Sequence, residues 1–131
     1  MLDPASNLQD MIDKLAKIPL RQQPGSLWHY SVSVDVQGYL VEKLSGQRFS
    51  DFLEERIFEP LGMVDTDFFV PAEKADRLAE VYAYGPDGSL FASEGFTGGP
   101  SYLVEPEFEG GGGGLVGSAM DYIRFSQMLL N

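Results

Sequence analysis

The stretch Ser33-Val34-Asp35-Val36-Gln37-Gly38-Tyr39-Leu40-Val41-Glu42-Lys43-Leu44-Ser45-Gly46 decides the fold class. Val36, Leu40, Val41 and Leu44 recur at helical spacing, which predicts a helix from about Ser33 with these four residues on its buried side. Gly46 stands where a left-handed C-terminal cap is wanted. Gly38, inside the helix, costs about 1 kcal/mol relative to alanine, so close packing is expected there.

Toward the N-terminus, Leu8, Met11, Ile12, Leu15 and Ala16 follow the same period. Ser6 with Gln9 makes a capping-box pattern before them, and Pro19 ends the helix. A turn at Pro24-Gly25 then leads into Leu27-Trp28-His29-Tyr30, which reads as loop. Toward the C-terminus, Ser50 followed by Asp51 predicts the N-cap of a third helix. Its apolar stripe is Phe52, Leu53, Ile57 and Phe58, and Pro60-Leu61-Gly62 ends it. Pro71 can open a short fourth helix through Leu78 as its first-turn residue. The period then changes to two: Val81 to Tyr84 and Leu90 to Ala92 flank the turn Gly85-Pro86-Asp87-Gly88, a hairpin pattern. Residues 93–109 show no helical period and read as loop. Five glycines, Gly110 to Gly114, precede a last helix that starts at Ser118, with Asp121 as its capping partner, and meets no stop signal before Asn131. The expected class is α+β, predominantly helical, with one small β-hairpin.

The chain has 131 residues, is 44% apolar and 12% aromatic, and carries a net charge of −11. That composition is too apolar for a disordered tail and suits one domain. With no cysteine and one histidine, His29, a disulfide framework, a thiol nucleophile and a multi-histidine metal centre are excluded. The acidic balance argues against nucleic acid, whose binders need clustered Lys and Arg. No apolar run approaches membrane-spanning length, so no membrane partner is expected. Residues 51–109 hold fourteen acids against three bases, which is the whole of the net charge. This stretch is expected to be a solvated outer face, the alternative being an acidic surface for a basic partner.

Chemistry-bearing motifs are sparse. Gly112-x-Gly114-x-x-Gly117 matches the dinucleotide spacing before a helix, but no buried strand precedes it and no acidic residue follows at the distance a ribose requires. The lysine of a P-loop is missing. No Gly-x-Ser-x-Gly elbow occurs, and the four lysines follow Met11, Lys14, Leu40 and Pro71 at the spacing where Ser-x-x-Lys would place its serine. Asp65-Thr66-Asp67 lacks the other ligands of a calcium loop. Neither a metal nor a cofactor is expected.

Four segments occur in order: Pro24-Gly25-Ser26-Leu27-Trp28-His29-Tyr30-Ser31, Asp35-Val36-Gln37-Gly38, Leu44-Ser45-Gly46 and Phe58-Glu59-Pro60-Leu61-Gly62-Met63. With Gly112-Gly113-Gly114-Leu115 and Ser118-Ala119-Met120-Asp121-Tyr122 after them, the set resembles the serine β-lactamase-related family. That family holds class C β-lactamases, D-Ala-D-Ala carboxypeptidase-like enzymes and carboxylesterases. The resemblance implies three motifs: Ser-x-x-Lys with the nucleophile, Tyr-x-Asn with a tyrosine base, and a late strand that shapes the substrate site. Only the second has a counterpart, Tyr30-Ser31-Val32. The first is then expected upstream of Met1 and the third downstream of Asn131. The chain would be a middle fragment, the helical subdomain portion of a β-lactamase/transpeptidase-like fold. Its parts are 1–50 (base-bearing loop and flanking helices), 51–109 (acidic helices, hairpin and loop) and 110–131 (glycine turn and truncated helix).

By the resemblance Tyr30 is the catalytic base. A phenol ionises near pH ~10, so proton abstraction near neutrality needs about 4 kcal/mol of differential stabilisation of the phenolate, which neighbouring lysines can supply. Val32 stands where β-lactamases carry asparagine. Valine cannot donate to a substrate amide carbonyl, and an aliphatic residue there resembles the carboxylesterase branch. The implied substrate is a small-molecule ester, with the amide of a lactam or peptide as the alternative. Trp28 and Val32 would line the cleft beside the base, and Gly113 and Gly114 would border it, leaving room for an acyl or alcohol group. The alternatives are packing beneath the loop for Trp28 and His29, and a helix-entry turn for the glycines. A non-catalytic binding module is the rival from a different class.

Overall fold

The computed structural model describes residues 7–92 and 102–130. Helix α1 (Leu8–Leu15) opens at Asn7, whose side chain accepts from the Asp10 N–H while the Asp10 carboxylate accepts from the Asn7 N–H. The capping box is therefore Asn7/Asp10 and not Ser6/Gln9. Gln9 instead donates to Asp13 and accepts from the Tyr39 hydroxyl, tying α1 to the next helix. Ser6 lies outside the described residues. Leu8 and Met11 are buried, as their spacing predicts.

Helix α2 (Ser33–Ser45) ends at Gly46, whose φ of 76° is the left-handed cap conformation expected of it. Its buried residue is Gly38. Leu40 and Leu44 are exposed, Leu44 at 87%, which corrects the expected stripe. α2 carries apolar residues on more than one face, and the side without a Cβ at Gly38 is the one its neighbours approach.

The next helical run is α3 (Phe49–Leu53), a π-helical turn (Glu54–Phe58) and α4 (Glu59–Leu61), closed by Gly62 at φ 65°. The N-cap is Arg48 and not Ser50. Its side chain caps nothing; the free N–H groups find remote carboxylates, Phe49 N–H donating to Glu42 at 3.1 Å and Ser50 N–H to Glu109 at 2.7 Å. Pro71 likewise precedes its helix, a 3₁₀ segment (Ala72–Arg77), as the N-cap.

Strands β1 (Tyr82–Tyr84) and β2 (Leu90–Ala92) pair antiparallel with Ala83 opposite Phe91, across the expected turn. Val81 falls just outside the first strand. The expected loop at 93–109 is described only from Tyr102, whose carbonyl accepts from Val70 N–H at 2.7 Å. Helix α5 (Ala119–Leu130) is capped by Ser118, whose Oγ accepts from Asp121 N–H at 3.2 Å, as the sequence predicts.

α1 packs on α2, α2 on α3, and α4 meets α5. The core among the described residues is Leu8, Met11, Phe58, Met63 and Phe68, each contributing about 1.5–3 kcal/mol by leaving water. Phe49 and Phe68 meet with ring centroids 5.9 Å apart. None of the described helices is long and apolar enough to cross a membrane.

The acidic stretch is not wholly an outer face. Glu109 is 3% exposed and takes Arg48 as an ion-pair partner along with the Ser50 hydroxyl. Burial, reinforced by Glu109 and Glu105, pushes the Asp67 carboxyl up against the opposing pull of the Phe68 N–H.

Candidate active site

Residues 22–27 fold into a tight turn that presents the Tyr30 loop. Gln22 Nε2 donates to Leu27 O at 2.8 Å, Ser26 Oγ donates to Gln23 O at 2.7 Å, and Gly25 adopts φ 78°. Trp28 and Tyr30 follow as exposed rings, 86% and 82% accessible, with centroids 6.3 Å apart and planes inclined at 48°. That spacing lies within the range of favourable aromatic pairs. Between them in sequence, His29 Nε2 accepts from Arg21 Nη1 at 3.2 Å. Val32 is the N-cap residue of α2. Its side chain makes no cap bond, and its carbonyl accepts from Val36 N–H at 3.1 Å, opening the helix.

The glycine run passes directly over the first turns of α2. Asp35 Oδ1 accepts from Gly112 N–H at 3.0 Å. A Cβ on Gly111 would fall 2.2 Å from Val34 O, and one on Gly38 would fall 3.3 Å from Gly111 N. The close packing expected at Gly38 is thus against the Gly111 backbone and the Phe49 ring, which a built Cβ would meet at 3.4 Å. Beyond this contact the two glycines expected at the cleft differ. Gly113 faces open space, with nothing within 4 Å of where a Cβ would lie; Gly114, at φ 106°, turns its α-carbon toward the buried ring of Phe68, 3.5 Å from a built Cβ.

The structure therefore brings Trp28, Tyr30 and Val32 together on one loop and docks residues 110–112 on the helix that this loop enters. A wide groove of about 1800 Å³ lies elsewhere, walled by residues such as Arg48, Phe58, Met63, Tyr102 and Val116, and none of the five expected site residues lines it. Among the described residues no cluster of His, Asp or Glu could hold a metal ion.

Three polar centres escaped sequence reasoning. One is the Asp35 bond to Gly112. The second is Glu109 as the remote cap of α3. The third is Asp121, 1% exposed, which accepts from Asp65 N–H at 2.7 Å, Thr66 Oγ1 at 3.0 Å and Arg124 Nη1 at 2.8 Å. Only Asp121 had a local signal, its spacing from Ser118.

The Beta-lactamase family model matches residues 1–131, and the chain belongs to that family. It is 37% identical over 116 residues to Protein Rv1367c of Mycobacterium tuberculosis, covering 88% of this chain and 28% of that protein. It is 34% identical over 131 residues to Esterase EstB of Burkholderia gladioli, covering 90% of this chain and 33% of the esterase. The chain thus spans about a third or less of these relatives. Among solved structures, EstCE1, a hydrolase with promiscuous acyltransferase activity, superposes with a TM-score of 0.79 at 24% identity, over 95% of this chain and 35% of its own, a likeness of fold. Other relatives bear the names of an esterase, a penicillin-binding protein and an acyltransferase.

Proposed function

We propose that the chain is the middle, helical portion of a serine hydrolase that acts as a carboxylesterase through an acyl-enzyme, with Tyr30 as its base. The observation that carries this reading is the loop Tyr30-Ser31-Val32: an exposed phenol followed, two residues on, by an aliphatic side chain where amide recognition would need a donor. The identity with Esterase EstB across 90% of this chain supports the ester over the amide.

In this reading a serine outside the chain is the nucleophile. Tyr30, assisted by a lysine outside the chain, takes the serine proton as the oxygen bonds to the ester carbonyl carbon. The tetrahedral intermediate collapses, and the phenol returns that proton to the departing alcohol. Water then attacks the acyl-serine, Tyr30 accepting its proton and passing one to the serine oxygen as the acid leaves. In this reading Trp28, Val32, Gly113 and Gly114 would border the small ester in the longer enzyme.

In the longer enzyme, Tyr30→Phe is expected to lower kcat for p-nitrophenyl butyrate by about a hundredfold or more. The 131-residue chain alone is expected to turn over no ester. Turnover by that chain which disappears in Tyr30→Phe would show that the nucleophile is present after all. Nitrocefin hydrolysed faster than the ester would move the assignment to the lactamase branch.

A further inference from the structure

We propose that Asp35 is a positioning residue: its carboxylate fastens the glycine run to the helix that follows the Tyr30 loop, and so fixes the cleft border relative to the base. The catalytic part of this role rests on the Tyr30 reading above. Asp35 lies in the first turn of α2, where an acid also complements the helix dipole. Its bond, however, runs across to another segment, Gly112 N–H at 3.0 Å, 77 residues away in sequence.

The surroundings of that carboxylate are made by missing side chains. A Cβ on Gly110 would fall 2.9 Å from Oδ1, and one on Gly112 would fall 3.2 Å from both oxygens. A Cβ on Gly111 would strike Val34 O at 2.2 Å. Three consecutive residues are thereby kept free of side chains against two consecutive residues of α2, and the carboxylate supplies the directional bond within that contact. The run then continues into Gly113 and Gly114.

On the other side, Tyr30 is five residues before Asp35 and is itself exposed, its ring meeting Trp28. A tie at the start of α2 is therefore well placed to set where the loop and the glycine border stand relative to one another. Small displacements between a base and the border of its cleft are costly, since a misplacement of about 1 Å can lower a rate by about a hundredfold.

Two measurements test the proposal. The first is amide hydrogen exchange in the longer enzyme. Asp35→Ala is expected to quicken exchange at Gly112 by about tenfold or more while the amides from Val41 to Ser45 keep their rates, and Asp35→Asn, which retains an Oδ1 acceptor, is expected to stay within about threefold of the parent. The second is steady-state kinetics of p-nitrophenyl butyrate in the longer enzyme. Asp35→Ala is expected to lower kcat by about tenfold or more with KM within about twofold, and Asp35→Asn to restore most of the loss. Should Asp35→Ala not fold, Asp35→Ser, too short to reach Gly112 in the same geometry, is read in the same way.

Unchanged exchange at Gly112 in Asp35→Ala overturns the fastening. Quickened exchange with unchanged kcat overturns the catalytic consequence. Equal losses in the Ala and Asn variants overturn the hydrogen bond in favour of the charge on the helix. Full activity in Tyr30→Phe overturns the Tyr30 assignment and the catalytic role with it, whereas the exchange result then still decides the fastening by itself.

Discussion

Gly111 and Gly113 stand two residues apart in one run of five, yet their surroundings are opposite. At Gly111 an added methyl group meets a backbone carbonyl at 2.2 Å, and a carbonyl within a helix cannot step aside. At Gly113 it meets open space. Gly111→Ala is expected to cost about 3 kcal/mol or more, and Gly113→Ala to stay within about 0.5 kcal/mol, both read from urea unfolding. A single variant pair thus separates packing from general glycine flexibility. Asp67 gives a second test at this scale. Its folded carboxyl titrates above the unfolded value because burial and the two neighbouring glutamates disfavour the anion. The folded state therefore binds the proton more readily, and Asp67 favours folding only as pH falls through its raised value. Asp67→Asn keeps an acceptor for the Phe68 N–H and removes the anion, so it is expected to raise stability at pH 7 by less than about 1 kcal/mol, a gain that shrinks in acid.

Among the elements, α3 shows how a helix can start without a local cap. Arg48 occupies the N-cap position and contributes no acceptor, while the Glu109 carboxylate, almost fully buried, accepts from the Ser50 N–H, the Ser50 hydroxyl and Arg48. Removing that carboxylate leaves several donors without a partner at once. Glu109→Ala is expected to destabilise by about 2–4 kcal/mol. Glu109→Gln, which preserves an acceptor oxygen, should cost less than half as much. Thermal unfolding of the pair gives the comparison, and equal losses would show that charge and not acceptor geometry holds the helix start. The same logic explains why Ser50 looked like a cap in the sequence. It is the right residue type at the helix start, but its hydroxyl donates.

Over the whole molecule, the carboxylates of Asp121 and of Asp65 itself tie the segment from Gly62 to Asp67 to its neighbours. Asp121 takes the Asp65 N–H and the Thr66 hydroxyl, and Arg124 reaches from the same helix to Gly62 O at 2.8 Å. The two-way bridge of Asp67 with Val116 adds the approach to α5. Asp121→Ala leaves the Asp65 N–H and the Thr66 hydroxyl without their acceptor and Arg124 without its ion-pair partner, and a loss of about 3–5 kcal/mol is expected. On the outer side, Arg77 with both guanidinium nitrogens, and Lys74 with its ammonium, hold the Asp65 carboxyl well below the usual carboxylate range. Because that folded value lies below the unfolded one, the stabilisation is complete above pH ~4 and is lost as pH falls through the folded value. Arg77→Ala is therefore expected to lower the urea midpoint at pH 7 and to weaken the fall in stability below pH ~4; an acid limb of unchanged steepness would assign that fall to other carboxylates.

How much of this was legible in the linear chain follows from the range of each interaction. The helices at 8–15, 33–45 and 119–130, the hairpin turn, the left-handed cap at Gly46 and the helix stop at Gly62 all depend on residues within a few positions of one another, so apolar period and cap chemistry were enough to predict them. The ordered motifs likewise placed the chain in its family. The tertiary structure decided which face of α2 is buried, what approaches Gly38, and which carboxylates cap, fasten and staple. Those partners stand 55 to 77 residues apart, and no period relates residues at that separation. The π-helical turn at 54–58 was hidden for a related reason, because one altered turn shifts the phase of a helix without changing the residue types on it. Local periodicity sets the backbone's regular elements, whereas the burial of a carboxylate among donors is settled only when distant segments meet.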